Sequence, residues 1–185
     1  QSQIRIGAVG VAGSAPDYFA LQVLNTILGG SFTSRLNQNL REQHGYAYGA
    51  NSRFDMRRSP GPFTASAGVQ TDKTAESLTE FFNELEAIGE TIGAHELAKA
   101  KNYLALGFPG DFETIGDLAA RLEELVIYGL PDDYYADYTA KIGAVTSGDV
   151  RRAAGAARFP TQEQDSRNRT SRRQMREVPG CIEAA

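Results

Sequence analysis

Two alternating segments joined by a proline-rich turn constrain the fold of this chain most strongly. Polar and apolar residues alternate over residues 46–56 and 63–69, and Pro60, Gly61 and Pro62 stand between these segments. Alternation is typical of half-buried strands, and consecutive proline and glycine residues interrupt strand pairing and favour a turn. The pattern therefore predicts an antiparallel hairpin. Residues 3–9 alternate around Ile4 and Ile6 and predict a further strand.

Helical spacing of apolar residues accounts for most of the remaining chain. Ser14 and Asp17 resemble a capping box at the start of the first helix, and Thr146 and Asp149 resemble another at the start of the last one. Apolar residues recur at three- and four-residue intervals in the predicted helices: Tyr18, Leu21, Leu24, Ile27, Leu36, Leu40, Leu78, Phe81, Phe82, Leu85, Ile115, Leu118, Leu122, Val126, Tyr134, Tyr138 and Ile142. A further helix follows Gly93. This order of elements predicts an α+β fold, with a mostly antiparallel sheet and helices packed on one face.

Length and charge set the domain organisation. A chain of 185 residues can bury one sizeable core, and its formal net charge of −4 disfavours nucleic-acid binding. No apolar run approaches the roughly 18 residues that a membrane span needs.

Residues 158–185 differ from the rest, with six arginines, no lysine, four acidic residues and no periodicity. We predict a domain over residues 1–157 and an atypical arginine-rich tail over 158–185, which is either a flexible basic tail or a segment foreign to the fold.

The sequence lacks a recognisable catalytic centre of its own. A zinc-binding peptidase helix would need two histidines and a glutamate spaced as His-x-x-Glu-His, and neither His44 nor His95 has such a partner. Surface or helix-end positions are the favoured interpretation for both histidines. Cys181 lies in the tail and has no base nearby in the sequence. We therefore expect no metal site and no catalytic residue in this chain.

A glycine pair at the end of the first helix permits two interpretations. Gly29 and Gly30 precede Ser31, and the segment LGGSFTSRL continues into the next predicted helix. In the structural interpretation, the glycines end one helix and a serine or threonine caps the next. In the functional interpretation, the same loop lends backbone N–H groups to a bound peptide. The local chemistry favours the structural role.

Arg41 and Tyr48 are the second candidate. Arg41 lies near the end of a helical pattern that Gly45 closes, and Tyr48 lies in the alternating run that follows. The bland interpretation is a solvated cation near a helix C-terminus and a tyrosine packed on a strand. The alternative is that guanidinium and phenol both donate hydrogen bonds to a peptide carbonyl, or to the oxyanion that it becomes. The residues alone leave both interpretations open.

A family resemblance favours the second interpretation. LGGSFTSRLNQNLREQHGYAYGANSRF, the GPFTASAGVQTDKTAESLTEFFNELEAI stretch, HELAKAKNYLALGF and VTSGDVRRAA resemble the C-terminal half of insulinase/pitrilysin-family (peptidase M16) zinc peptidases over about residues 2–157. Such enzymes resemble a clam shell of two similar α+β halves with the mitochondrial processing peptidase-like fold. The N-terminal half holds zinc through His-x-x-Glu-His. The C-terminal half contributes an arginine and a tyrosine seven residues apart, which match Arg41 and Tyr48 here.

The resemblance implies what this chain does. It implies the non-catalytic half of a zinc metalloendopeptidase, which binds peptide together with a zinc-bearing half in the same longer chain or in a separate subunit. The zinc would belong to that partner half, and the chain alone would be inactive. The Gly29-Gly30-Ser31 loop is similar in place to the glycine-rich loop of mitochondrial processing peptidase, though shorter. The alternative is a structural subunit like the core proteins of respiratory complex III. Bacterial proteins with this kind of GYAYGA block are often exported, which favours a periplasmic location.

Overall fold

A computed structural model describes residues 1–161, and its centre is an antiparallel sheet. The strands are β1 (Ser2–Val9), β2 (Ala47–Phe54) and β3 (Pro62–Val69). Their order in the three-stranded sheet is β1-β3-β2, and β3 is antiparallel to both neighbours. The predicted hairpin is confirmed, with β2 shorter than its alternating segment and β3 beginning one residue before its segment.

Helices make up most of the remaining chain in the described part. Two of them continue as π-helix: α1 (Tyr18–Asn25) through Thr26–Gly30, and α2 (Arg35–Asn37) through Gln38–Gln43. The others are α3 (Thr74–Ala87), α4 (Ala94–Gly107), α5 (Ile115–Tyr128), α6 (Tyr138–Ala144) and α7 (Ser147–Ala157). Short 3₁₀ turns precede α3 at Thr71–Lys73 and follow α4 at Phe108–Phe112. No helix in residues 1–161 is long and apolar enough to cross a membrane.

One face of the sheet carries the core. Inward-facing side chains of β1 and β3 are buried, while their neighbours along each strand are partly or fully exposed. The core consists mainly of these strand residues and of residues from α1, α2, α3 and α7: Ile4, Ile6, Leu21, Leu24, Leu28, Leu36, Leu40, Phe63, Ala65, Val69, Phe81, Leu85 and Val150. The predicted α+β fold, with helices packed on one face of an antiparallel sheet, is confirmed.

The start of α1 differs from the prediction. The helix begins at Tyr18, and no side-chain hydrogen bond caps it, so the proposed capping box of Ser14 and Asp17 is wrong. The Asp17 carboxylate instead accepts a hydrogen bond from Arg152 of α7 at 2.8 Å. The carboxylate that local sequence predicted to cap α1 therefore forms an ion pair with a distant helix instead.

Helix α5, within the described part of the chain, leaves its predicted apolar stripe uncovered. Ile115 is 88% exposed, Leu122 63% and Val126 82%, and no residue of the helix is buried. Helical periodicity thus predicted the element correctly but not its burial. An apolar stripe of this kind normally packs against another element.

The predicted domain boundary at residue 157 falls close to the end of α7. Arg158 adopts a left-handed backbone conformation with φ of 47°. Phe159, just beyond the boundary, places its ring 4.7 Å from that of Phe63 and 6.1 Å from that of Phe54. The first residues of the predicted tail therefore touch the core. Residues 162–185 lie outside the described part of the chain, and the two interpretations of the tail stay predictions.

The capping box of α7 is present and gives a pH-dependent prediction. Asp149 Oδ2 accepts from the Thr146 backbone N–H at 2.9 Å, and Thr146 Oγ1 accepts from the Asp149 N–H at 3.2 Å. Hydrogen bonds from Thr146, with help from Arg152, lower the pKa of Asp149 from 3.8 to about 2. Because the pKa of this carboxyl is lower in the folded state than in the unfolded state, the ionised carboxylate stabilises the folded state at any pH above its unfolded-state pKa. This stabilisation is lost as the pH falls through the folded-state pKa.

We expect Asp149→Asn to lower the free energy of unfolding at pH 7 by about 0.3–1 kcal/mol, the usual contribution of an anion at a helix N-terminus. The difference from wild type should shrink between pH 4 and pH 2, because wild type loses its charge there too. Urea unfolding at several pH values measures this. Asp132→Asn, an exposed residue in the turn before α6, is the control. A difference that stays constant down to pH 2 would contradict the assignment.

Candidate functional site

Arg41 lies on a helix segment that the core holds firmly. It belongs to the π-helical continuation of α2, between the fully buried Leu36 and Leu40 on one side and the chain reversal at Gly45 on the other. Gly45 has a φ of +64°, a left-handed conformation that favours glycine. The guanidinium Nε is 3.4 Å from the Glu42 carboxylate, and the side chain is 29% exposed. The guanidinium is thus anchored near the surface and still reaches solvent.

A β-bulge turns Tyr48 outward. Ala50 and Ser52 of β2 face the core, so simple alternation would also bury Tyr48. However, Ala47 pairs with Val69 while Ala50 pairs with Ala67, which leaves one extra residue on β2. Such a bulge reverses the alternation and re-aims a side chain. Tyr48 is consequently 87% exposed.

Phe32 joins Arg41 and Tyr48 in one surface cluster. The guanidinium carbon of Arg41 lies 4.4 Å from the centroid of the Phe32 ring and 5.4 Å from that of Tyr48. These are cation–π distances, and such contacts stabilise a cation over an aromatic face. Phe32 itself is 66% exposed. We call these three residues the Phe32–Arg41–Tyr48 cluster.

Buried Asn37 ties the three segments of the cluster together. Its side-chain NH₂ donates to the Ala50 carbonyl at 2.8 Å and to the Ser31 carbonyl and Ser34 hydroxyl at 3.2 Å. Its carbonyl oxygen accepts from the Ala50 N–H at 2.9 Å. The amide therefore pairs with the edge of β2 as a neighbouring strand would, two residues beyond Tyr48. It also fixes the loop that carries Phe32.

Gly29, Gly30 and Ser31 lie at the end of the π-helical continuation of α1 and just after it. A Cβ on Gly29 would lie 2.5 Å from the backbone nitrogen of Ser52, and one on Gly30 would lie 2.6 Å from the Asn25 amide nitrogen. Gly29 thus allows this helix end to pack directly against β2, and Gly30 allows a close approach to Asn25 of α1. The Ser31 hydroxyl donates to the Thr26 carbonyl at 3.1 Å. These contacts give the pair a packing role, and its role near a peptide stays a prediction.

The described residues do not form a metal site. Over residues 1–161, no three histidine, cysteine, aspartate or glutamate side chains lie close enough together to hold a metal ion. The His44 ring stacks on Tyr46 at 4.8 Å between centroids, and His95 lies exposed in the first turn of α4. Cys181 lies outside the described part. The donor set available here therefore does not fit zinc.

A cavity at the far end of β2 was not predicted. It has a volume of about 390 Å³ and is lined by residues of α1, β2 and α5, including Tyr18, Phe54, Glu124 and Tyr128. Burial and the nearby Glu124 carboxylate raise the pKa of Tyr18 above its usual value. Phe54 lies six residues from Tyr48, or about 20 Å along a strand, so this cavity is separate from the cluster.

A protein-family model supports the resemblance seen in the sequence. The model of the peptidase M16 inactive domain matches residues 1–104. The chain belongs to the peptidase M16 family. The predicted family is therefore confirmed, and the match includes the whole Phe32–Arg41–Tyr48 cluster.

Similar proteins extend the match beyond residue 104. An uncharacterized zinc protease of Streptomyces coelicolor is 30% identical over 155 residues, which cover 83% of this chain and 34% of the relative. The crystal structure of a peptidase M16 inactive domain from Pseudomonas fluorescens is 27% identical with a TM-score of 0.74, over 82% of this chain and 36% of that one. A chain of Complex III2 from Candida albicans, 16% identical with a TM-score of 0.71 over 83% of this chain and 39% of that one, shares the fold. The chain thus spans about a third of the length of these relatives.

Proposed function

We propose that this peptidase M16 inactive domain is the non-catalytic half of a zinc metalloendopeptidase. The observation that carries the proposal is the Phe32–Arg41–Tyr48 cluster, in which a bulge exposes a tyrosine beside an anchored arginine. The zinc protease relatives and their greater length agree with it, since about two-thirds of each relative lies outside the matched region. A homologous half with a His-x-x-Glu-His motif would supply zinc and the activated water.

In the proposed enzyme of two halves, the residues of this chain bind and orient the peptide. The Arg41 guanidinium and the Tyr48 hydroxyl donate hydrogen bonds to the carbonyl that is attacked. Donors of this kind accelerate the reaction because they interact more strongly with the developing oxyanion than with the neutral carbonyl. The two flanking rings and Glu42 restrict the guanidinium before substrate arrives, so little rearrangement is needed.

A structural subunit without peptidase activity is the rival function. The shared fold of the Complex III2 chain agrees with it, but at 16% identity that likeness concerns the fold alone. An exposed Tyr48 beside Arg41 contributes little to a purely structural role, because a side chain that is 87% exposed buries almost no surface. The cluster therefore favours peptide binding.

Reconstitution tests the proposed function. We expect the chain alone to cleave no peptide, and the mixture with a zinc-bearing homologous half to cleave a fluorogenic peptide. Tyr48→Phe should lower kcat of the mixture at least about tenfold, because only the donor hydroxyl is lost. Tyr103→Phe is the matched control, because Tyr103 is also exposed but lies on α4. A mixture whose activity survives Tyr48→Phe unchanged would contradict the proposal and favour a structural subunit.

A further inference from the structure

Aromatic rings form much of the wall of the cavity at the far end of β2. Tyr18, Phe54, Tyr128 and Tyr134 line its volume of about 390 Å³ together with Glu124. The three tyrosines come from α1, from α5 and from the turn before α6, so separate elements place rings around one space. Burial and the Glu124 carboxylate raise the pKa of Tyr18 and of Tyr134, which shows that this negative charge acts across the cavity. Cavities of about 300–1,000 Å³ with apolar walls and a few polar groups are typical sites for small molecules.

The charge of Glu124 is only partly neutralised by its neighbours. Its Oε2 accepts from the Tyr135 hydroxyl at 2.7 Å and from Arg121 Nη1 at 2.9 Å. The same guanidinium also pairs with Asp111 at 2.9 Å, so one cation serves two carboxylates. Among the described residues both hydrogen bonds to Glu124 use Oε2, which leaves Oε1 for a ligand. The Glu124 side chain is 24% exposed, so a ligand can reach it from solvent.

The other charged residues near the cavity leave Glu124 dominant. Asp55 is paired with Arg57, whose Nε lies 2.9 Å from its carboxylate. Arg53 also borders the cavity, but strand alternation directs its side chain to the outer face of β2, where it is exposed. Lys141 Nζ lies 5.4 Å from the centroid of the Tyr134 ring, yet Lys141 does not line the cavity. The cavity is therefore an aromatic space with a negative charge.

The backbone of Phe54 adds a hydrogen-bond acceptor. The Asp55 N–H donates to the Pro62 carbonyl at 2.9 Å, while Phe54 lies opposite Phe63. In an antiparallel ladder this pattern makes Phe54 and Phe63 a non-hydrogen-bonded pair, so the N–H and C=O of Phe54 point away from β3. Among the described residues, β2 is an edge strand on that side. The Tyr128 hydroxyl donates at 2.7 Å to the backbone carbonyl two residues further along, which holds α5 and the cavity against this edge.

We propose that this cavity binds a small organic cation, with a primary ammonium group attached to an aromatic or other apolar body. The ammonium group donates hydrogen bonds to Glu124 Oε1 and to the Phe54 carbonyl, and its charge lies against the surrounding rings. The apolar body packs among the same rings. The inference goes beyond the proposed function, because the cavity is separate from the Phe32–Arg41–Tyr48 cluster and its ligand needs no zinc-bearing half.

An NMR titration of the isotope-labelled chain tests the site with a matched pair of probes. Phenethylamine carries an ammonium group at neutral pH, and 2-phenylethanol is a neutral molecule of nearly the same shape. We expect phenethylamine to shift the backbone amide signals of Phe54, Glu124 and Tyr128 in a saturable way. Its Kd should be at least about tenfold lower than that of 2-phenylethanol, because hydrogen bonds between charged partners are the stronger ones.

Variants assign the binding to the cavity. Glu124→Gln keeps the shape of the side chain and removes its charge, so we expect about tenfold weaker binding of phenethylamine and little change for 2-phenylethanol. Glu123→Gln is the matched control, because Glu123 is exposed on the same helix and does not line the cavity. Tyr128→Leu removes one ring and should weaken phenethylamine binding at least about threefold. Tyr103→Leu, at an exposed position on α4, should not.

The outcomes that contradict the site are distinct from those that contradict the proposed function. Equal binding of phenethylamine and 2-phenylethanol, or shifted signals that lie away from the cavity, would overturn the site. Equal losses in Glu124→Gln and Glu123→Gln would overturn it too. Each of these results leaves the proposed function intact, since that function is tested by peptide cleavage in the mixture of the two halves.

Discussion

Replacing Arg41 by alanine is expected to lower kcat/KM of the zinc-bearing complex by about 100- to 1000-fold, the usual cost of removing one oxyanion donor. The change removes the proposed charged donor to the substrate carbonyl and also the contact that joins the Phe32 and Tyr48 rings. Stability should change little, because the guanidinium is near the surface and its ion pair with Glu42 is long at 3.4 Å. Initial rates with a fluorogenic peptide measure the loss.

Two further variants define what Arg41 supplies. Arg41→Lys keeps the charge but not the planar guanidinium, so we expect an intermediate activity. Arg151→Ala removes an exposed arginine on α7 and should leave the rate unchanged. Retention of more than about a third of wild-type activity in Arg41→Ala would show that the guanidinium is no oxyanion donor, since a true donor costs far more.

The fold was predictable because local patterns agreed with each other. Alternation and the Pro60-Gly61-Pro62 turn defined the hairpin, and the Thr146–Asp149 box defined the start of α7. The start of α1 was not predictable in the same way, since Asp17 pairs with a residue 135 positions away. The exposure of α5 also lay beyond sequence patterns, because periodicity shows that a stripe is apolar and not whether this chain covers it.

The site was only partly predictable from the residues. Arg41 and Tyr48 were candidates from their local chemistry, and the family resemblance favoured a role in peptide binding. The geometry that exposes Tyr48 comes from a shift in strand pairing. Gly49, directly after Tyr48 in a strand, is a signal that could have indicated the bulge. Phe32 and Asn37 were missed. A phenylalanine among serines and threonines in LGGSFTSRL is a visible anomaly, but the partners of Asn37 depend on tertiary contacts.

Asn37 gives the largest expected effect on stability. We expect Asn37→Ala to lower the free energy of unfolding by about 2–4 kcal/mol, because it leaves two buried backbone groups of Ala50 without partners, at about 1–3 kcal/mol each. The Ser31 carbonyl loses a donor as well. Urea unfolding followed by circular dichroism measures the change. Asn51→Ala is the control: Asn51 is exposed on β2 next to Ala50, and the change should alter stability by less than about 0.5 kcal/mol.

Asn37→Ala should also loosen the proposed peptide site, because Asn37 fixes both the Phe32 loop and the strand edge beside Tyr48. Asn37→Asp tests the hydrogen-bond acceptor and the hydrogen-bond donor of the amide separately. Its carboxylate can still accept from the Ala50 N–H, but it faces the Ala50 carbonyl without a proton to donate. The stability of Asn37→Asp should therefore recover relative to wild type as pH falls and the carboxyl becomes protonated. If Asn37→Ala proves as stable as Asn51→Ala, the amide does not replace a strand at this edge, and the cluster must be held by the packing of Leu36 and Leu40 alone.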